Sequence, residues 1–513
     1  MAGLTGPMPA AAGRAAGART SVSAHAVATQ AAAGHAAALA GARAAPWRAT
    51  PAVIRAGAGA VIVTAAALAA VIAVAFSAIS GGLSSIGGTD APEAGAATGL
   101  YFSLNDMDAQ VANVLLAGPG PALAPGRPGY LATYARDRQA AYADLQQAAV
   151  TAAGNAGAER QLQSVLDEVG RYEALAADAL LAGQQPARTG TGATGTAPAI
   201  AYYQQATDLM RTGILPQVSS LASVSSARLD GDYAAGRSAA RAGLAVTALA
   251  GLAVLAVLAG LQAFLARRFR RRVNPALAAA TLVALIAVAV TGARLAAEAG
   301  HLKVAKQDAF DSIVALSQAR AVSYAANADE SRYLANPGRA AMYQRSFLAD
   351  SQQLASVGRA ASAGPARYEA ALDAAVSDYE RGGAQVAFGG YLGAEFRNIT
   401  FPGERAAAVA TLLAYQRYQR DDGQLRALAR TSPRAAAGFD TGTRPGQSNW
   451  AFGQYDQALS ALIGINQRAF TAAISAGHDD AAGWDGLIPA GCAALIAALA
   501  LAGVRPRLAE YRR

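Results

Sequence analysis

A chain of 513 residues can bury several hydrophobic cores, yet only 15% of this one is charged, 6% is aromatic and 53% is hydrophobic. So much apolar sequence with so few ionisable groups implies surface kept in lipid and excludes an ordinary soluble domain. The net charge of +9 would raise the question of nucleic acid in a soluble protein, but its distribution points to topology instead.

No acidic residue precedes Asp90, whereas Arg14, Arg19, Arg43, Arg48 and Arg55 do. Arg267, Arg268, Arg270, Arg271 and Arg272 follow the second apolar run, and Arg505, Arg507, Arg512 and Arg513 follow the fourth. Glu510 is the one acid in these three pieces, and the rest of the chain is net negative. Basic flanks on alternate sides of apolar runs are the positive-inside pattern, which places both termini in the cytoplasm of a bacterial inner-membrane protein. Nucleic acid is not expected as a partner.

Residues 1–55 read as an Ala/Gly/Arg-rich cytoplasmic leader without structure of its own. Residues 56–78 supply the roughly 20 apolar residues that a membrane-crossing helix needs. Too much chain precedes them for a signal peptide, so they read as an uncleaved anchor. Residues 79–241 then lie outside, with a helical stripe at Leu162, Val165, Val169, Tyr172, Ala176 and Ala179. Breaks are expected at 118–129, which holds four prolines, and at 183–198.

Residues 242–266 form the second span, 267–275 a basic cytoplasmic loop and 276–293 the third span. Residues 294–486 form the second outer segment, with stripes Leu302, Ala305, Ala309, Ile313, Leu316 and Phe452, Tyr455, Leu459, Leu462, Asn466, Phe470. Its expected breaks are 336–338, 382–393 and 431–446. The fourth span, 487–504, carries the single cysteine, Cys492, read as a small packing residue, and 505–513 is a cytoplasmic tail.

The expected fold is therefore all-α: four transmembrane helices and two extracytoplasmic helical-bundle domains in tandem, as two copies of one unit. About four helices are expected in each bundle. The first and last of each run on from the spans. The centres of the spans lack Asp, Glu, Lys, Arg and His, which argues against a transport path.

No catalytic constellation emerges. His25, His35, His301 and His478 are scattered without metal-ligand spacing. The acid pairs Asp167 and Glu168, Asp329 and Glu330, Asp421 and Asp422, and Asp479 and Asp480 read as solvated surface groups. No phosphate-binding, nucleophile-elbow or kinase motif occurs. Neither an enzyme nor a cofactor or metal is expected. The candidate contact residues are Arg267, Arg268, Arg270, Arg271, Arg272, Arg505 and Arg507, which would meet anionic lipid head groups or a cytosolic protein. Glycine- and threonine-rich loops at the bundle tips are a further candidate surface. The cytoplasmic pieces are too small for an effector domain, so an inward signal needs a separate protein.

Three groups of strings carry a resemblance: Tyr202 to Pro216 (YYQQATDLMRTGILP) preceded by Tyr172 to Leu175; Gly446 to Phe452 (GQSNWAF) followed by Tyr455 to Leu459; and Tyr333 to Pro337 with Tyr343 and Phe347. Together with the four-span architecture they resemble the actinobacterial GlnX-type transmembrane signalling proteins. Tyr203, Met210 and Ile214 fall on one helix face, so these strings are mostly core positions. The resemblance implies a relay of amino-acid availability, from an extracytoplasmic solute-binding lipoprotein to a cytosolic Ser/Thr kinase. A scaffold for cell-envelope proteins and a direct small-molecule receptor stay open as alternatives, as does a homo-oligomer.

Overall fold

A computed structural model describes residues 50–118, 126–152, 155–184, 196–269, 274–358, 363–382 and 386–511. The described residues contain helices and no strand. Four helical runs are long and apolar enough to cross a membrane: Thr50–Ala117, Ala197–Phe269, Pro275–Ala335 and Leu487–Ala509. The all-α fold with four membrane-crossing helices is thus the one the hydropathy and periodicity imply.

The elements in chain order are α1 (Thr50–Ser85), α2 (Ala91–Ala117), α3 (Arg127–Ala152), α4 (Ala156–Ala182), α5 (Ala197–Leu209), α6 (Leu215–Phe269) and α7 (Pro275–Lys303). There follow α8 (Asp311–Ala335), α9 (Ala340–Leu354), α10 (Pro365–Glu380), α11 (Gly390–Asn398), α12 (Glu404–Thr431), α13 (Pro433–Asp440), α14 (Ser448–Ala481) and α15 (Leu487–Ala509). Wider π-turns join α1 to α2 (Ile86–Asp90), α5 to α6 (Met210–Ile214) and α7 to α8 (Val304–Phe310). The first and third π-turns follow the first and third spans.

The described residues divide into two compact units, one drawn from Met1–Leu68, Ala250–Ile286 and Gly491–Arg513, the other from Ala69–Leu249 and Ala287–Ala490. In the first unit Val254, Leu258, Leu261, Leu277, Ala280, Ile496 and Ala500 are buried between helices, while Leu252 and Leu282 are 64% and 58% exposed, as lipid-facing residues are. Small and polar residues tie these helices. Asn274 donates to the Gly503 carbonyl at 2.8 Å, and Gln262 donates to the Thr281 hydroxyl at 2.8 Å.

The second unit holds two helical bundles, each with its own core. Leu104, Met107, Val165, Tyr172, Tyr203 and Met210 belong to one, and Phe347, Tyr368, Leu412, Tyr415, Tyr455 and Leu459 to the other. The α4 stripe Leu162, Val165, Val169, Tyr172, Ala176, Ala179 is the buried face of that helix, and Asn155 caps it by accepting from Gly157 and Ala158 backbone N–H groups. In α14 the stripe is buried from Phe452 to Asn466, and Phe470 packs at 5.8 Å on Phe310.

The second bundle is cut more finely than composition suggests, with additional breaks at 355–358, 363–364 and 399–403. Gly364 and Gly403 adopt positive φ there, and Pro365 and Pro402 flank them. The fourth span does not run on from α14: residues 482–486 form a turn in which Gly483 has φ +79°. Gly390 opens α11 at φ +72°, and a Cβ there would stand 2.5 Å from the Gln353 carbonyl oxygen. Gly390→Ala should accordingly cost about 1–3 kcal/mol from backbone strain alone. An unchanged melting temperature of the purified protein would contradict that.

Candidate functional site: a charged seam between two helices

A helix that buries one face has buried positions every three or four residues. Two helices depart from this. On α2 every residue from Ser103 to Ala117 is buried, and on α8 every residue from Ala326 to Arg332. Each packs on its own bundle and the two pack on each other, so they are enclosed on all sides. The polar residues they carry are driven into the interior, where each lost water must be replaced by a protein partner.

Arg332, 3% exposed, is the hub. Its guanidinium donates to Asp108 of α2, to Asp329 Oδ1 at 2.6 Å and to the Tyr203 hydroxyl at 2.9 Å. Asp108 also accepts from Thr207 at 2.6 Å and from Tyr172 at 3.3 Å. Ser331 stands 2.6 Å from Asn113 Oδ1 and 2.7 Å from Asp440 Oδ2. Burial, with the Asp422 carboxylate nearby, pushes Asp440 up to about 7 even though the Ser331 hydroxyl favours its charged form. Arg320 makes a two-point ion pair with Asp456, at 2.6 and 2.9 Å, and lies 4.2 Å from the centre of the Phe102 ring. Tyr324 is set edge-on between Phe102 and Phe452.

At one edge the seam opens into a cleft of about 310 Å³ lined by Tyr101, Arg211, Asp329, Arg332, Ser346 and Asp350 among others. Arg211 belongs to the π-turn Met210–Ile214, a distortion that often marks functional positions. It donates to Asp329 Oδ1 at 3.3 Å and to the Ser346 hydroxyl at 2.5 Å. Asp329 Oδ2 is buried and has no hydrogen-bond partner. Burial, with the Asp329 carboxylate nearby, pushes the Asp350 carboxyl up to about 8 against the pull of Arg211 and Arg332. The cleft thus holds one partly exposed cation, Arg211, together with Asp350, whose carboxyl burial shifts upward, and Asp329, whose Oδ2 is sealed from solvent. Among the described residues no group of three His, Cys, Asp or Glu is placed to hold a metal ion.

The expected sites fare unequally. Arg267 and Arg268 are exposed in the last turn of α6, and Arg505 is exposed near the end of α15. Arg507 packs its guanidinium 5.0 Å from the Phe269 ring centre, which brings the tail beside the start of the basic loop. Arg270, Arg271 and Arg272 lie outside the described residues, as do much of the loops at 118–129 and 183–198 and both leader histidines. The reading of the acid pairs as solvated needs correction: Asp329 and Glu330 are 1% and 0% exposed, and Asp422 is 1% exposed and paired with Arg426 at 2.8 Å. Asp329 and Glu330 are buried because α8 is covered from every side, and Asp422 lies on the buried face of α12. The signal that could have found them is the absence of apolar periodicity across Asn327–Arg332, a polar run too rich in small residues for an exposed face.

Residues 82–234 match the family model of an actinobacterial sensor domain. No curated protein and no solved structure matches the chain. The matched stretch spans less than a third of the chain but includes Asp108, Tyr172, Tyr203 and Arg211, one wall of the seam. This is a membrane protein similar over those residues to an actinobacterial sensor domain, and the match supports a sensing or signalling role.

Proposed function

We propose that the protein is a transmembrane signal relay, with both termini in the cytoplasm and residues 79–241 and 294–486 outside. A solute-binding lipoprotein engages the outer bundles, and a cytosolic Ser/Thr kinase reads the result at Arg267, Arg268, Arg270, Arg271, Arg272, Arg505 and Arg507. The arginine asymmetry supports the orientation, and the resemblance of the aromatic strings supports the partners.

The observation that carries the sensing reading is the charged seam. Burying ion pairs costs desolvation that roughly offsets their attraction. An interface built this way is poised, so a modest input can shift which arrangement is favoured. Helix α6 contributes Leu215, Pro216 and Ser219 to the cleft and carries Arg267 and Arg268 in its last turn, all within 55 continuous helical residues. At 1.5 Å per residue that is about 80 Å of unbroken helix through which a tilt or rotation can pass.

Photo-crosslinking in the native membrane tests the reading. A reactive residue at position 268 should capture a soluble Ser/Thr kinase, and one at Gln163, exposed on α4, a solute-binding lipoprotein. Recovery of neither overturns the relay. If kinase output stays constant in a folded Arg332→Gln variant, a scaffold replaces it as the better account.

A further inference from the structure

We propose that a cavity at the cytoplasmic ends of three spanning helices binds the head group of an anionic phospholipid. This rests on the topology of the relay reading, which sets these helix ends at the inner leaflet, and it adds a lipid to the face that the kinase would read.

The cavity lies where α6 ends, α7 begins and α15 makes its last turns, and it encloses about 290 Å³. Toward the spans its lining is apolar, with Leu265, Ala266 and Ala502; one turn further on, at the helix ends, it carries Phe269, Asn274 and Arg507. Apolar toward the membrane interior and cationic at its surface is the order in which a phospholipid presents its own parts. The walls are held before anything binds, because Asn274 donates to the Gly503 carbonyl at 2.8 Å and Gln262 to the Leu277 carbonyl at 3.1 Å. Leu501, beside the lining residue Ala502, is 49% exposed. One flank of the cavity therefore adjoins the lipid-facing surface, and the acyl chains can stay in the bilayer while the head group enters.

Charge sets the class. The Arg507 side chain is 21% exposed, and its guanidinium lies 5.0 Å from the Phe269 ring centre. Stacking uses the face of the guanidinium and leaves its in-plane donors for other partners. One of these goes to the exposed Glu510 at 2.7 Å, and a phosphodiester can accept two more in the forked geometry that guanidinium groups favour. The first turn of α7, Pro275 and Ala276, adds the positive end of a helix dipole to the lining. Arg267, Arg268 and Arg505 are exposed and adjoin lining residues in sequence.

Among the described residues no Asp or Glu lines the cavity. The ammonium of a zwitterionic head group would find no counter-charge inside it, whereas a head group with a net negative charge meets cations only. A bare phosphate would satisfy Arg507 and leave the apolar wall in water. Arg507 faces the cavity while Arg267, Arg268 and Arg505 face solvent, so a lipid and a cytosolic protein can divide the arginines between them.

Native mass spectrometry of the full-length protein released from detergent micelles, titrated with phosphatidylglycerol, phosphatidylcholine or inorganic phosphate, tests the assignment. Phosphatidylglycerol should be retained about 10-fold more tightly than phosphatidylcholine, or better. Arg507→Gln should weaken phosphatidylglycerol about 10- to 100-fold, the loss expected for a charge-assisted hydrogen-bond group. Arg505→Gln, outside the cavity, should cost at most about fivefold, the share of one surface charge near anionic lipid. Ala502→Phe, which fills the cavity from an exposed position and keeps every charge, should abolish retention. The comparison of the two lipids is made on the unaltered protein, so the test survives a variant that fails to fold. Equal retention of both lipids, equal losses at Arg505 and Arg507, or displacement of phosphatidylglycerol by inorganic phosphate at equal concentration overturns the proposal. If position 268 captures the kinase while phosphatidylglycerol is not preferred, the lipid site falls and the relay stands; if phosphatidylglycerol is preferred and no kinase is captured, the relay falls and the site stands.

Discussion

Replacing Arg332 with alanine is expected to remove about 3–5 kcal/mol of folding stability, the cost of leaving buried carboxylates without their counter-charge. The variant would strip Asp108 and Asp329 of a shared cation and the Tyr203 hydroxyl of its donor, at positions 3% exposed or less. Few surface changes reach that size. The double variant Arg332→Met with Asp108→Asn should be less damaging than the two single losses added together, because the pair and its partners act as one network. Equilibrium unfolding of the detergent-solubilised full-length protein measures both. A loss under about 1 kcal/mol for Arg332→Ala would mean that water or a bound solute already screens the seam.

Stability is also expected to fall as pH rises from about 5 to 8. Burial pushes Asp350 up to about 8, and Asp440 and Glu395 each up to about 7. A carboxyl whose value in the folded state exceeds its unfolded value holds more protons when folded. Its contribution is complete below the unfolded value near 4 and is lost as pH passes the folded one. Each such group changes stability by up to about 1.4 kcal/mol per pH unit within its window. The three lie on α9, α13 and α11, so the effect is spread over the second bundle and the seam. Melting curves across this range should shift downward with pH, and Asp440→Asn, which keeps the shape and removes the titration, should flatten the slope. A midpoint that climbs with pH would refute the assignment.

Much of the fold was legible because one-sided burial leaves a period. The α4 stripe from Leu162 to Ala179 and the α14 stripe from Phe452 to Asn466 face a core on one side and water on the other, and the spans announce themselves by length and lack of charge. The candidate site was not legible by the same logic. On α2 and α8 burial on every side erases the period, and Asn327, Asp329, Glu330 and Arg332 resemble an exposed helix surface unless the neighbouring helix is known. The turn at 482–486 was missed for a related reason: a few small residues between two helical stripes can continue a helix or bend it, and here Gly483 takes a positive φ.

The sequence by itself determined that this is an all-helical membrane protein with four spans, because hydropathy and helical period are local properties that no tertiary contact needs to reveal. Only the tertiary structure decided that Asp108 and Arg332, 224 residues apart, form a buried pair, that Asp329 lies inside the protein, and that Arg211 opens onto a cleft beside them. Such a site arises where two helices from different parts of the chain meet, and the free energy of a buried charge is set by the partner across the seam, which no local stretch of sequence contains.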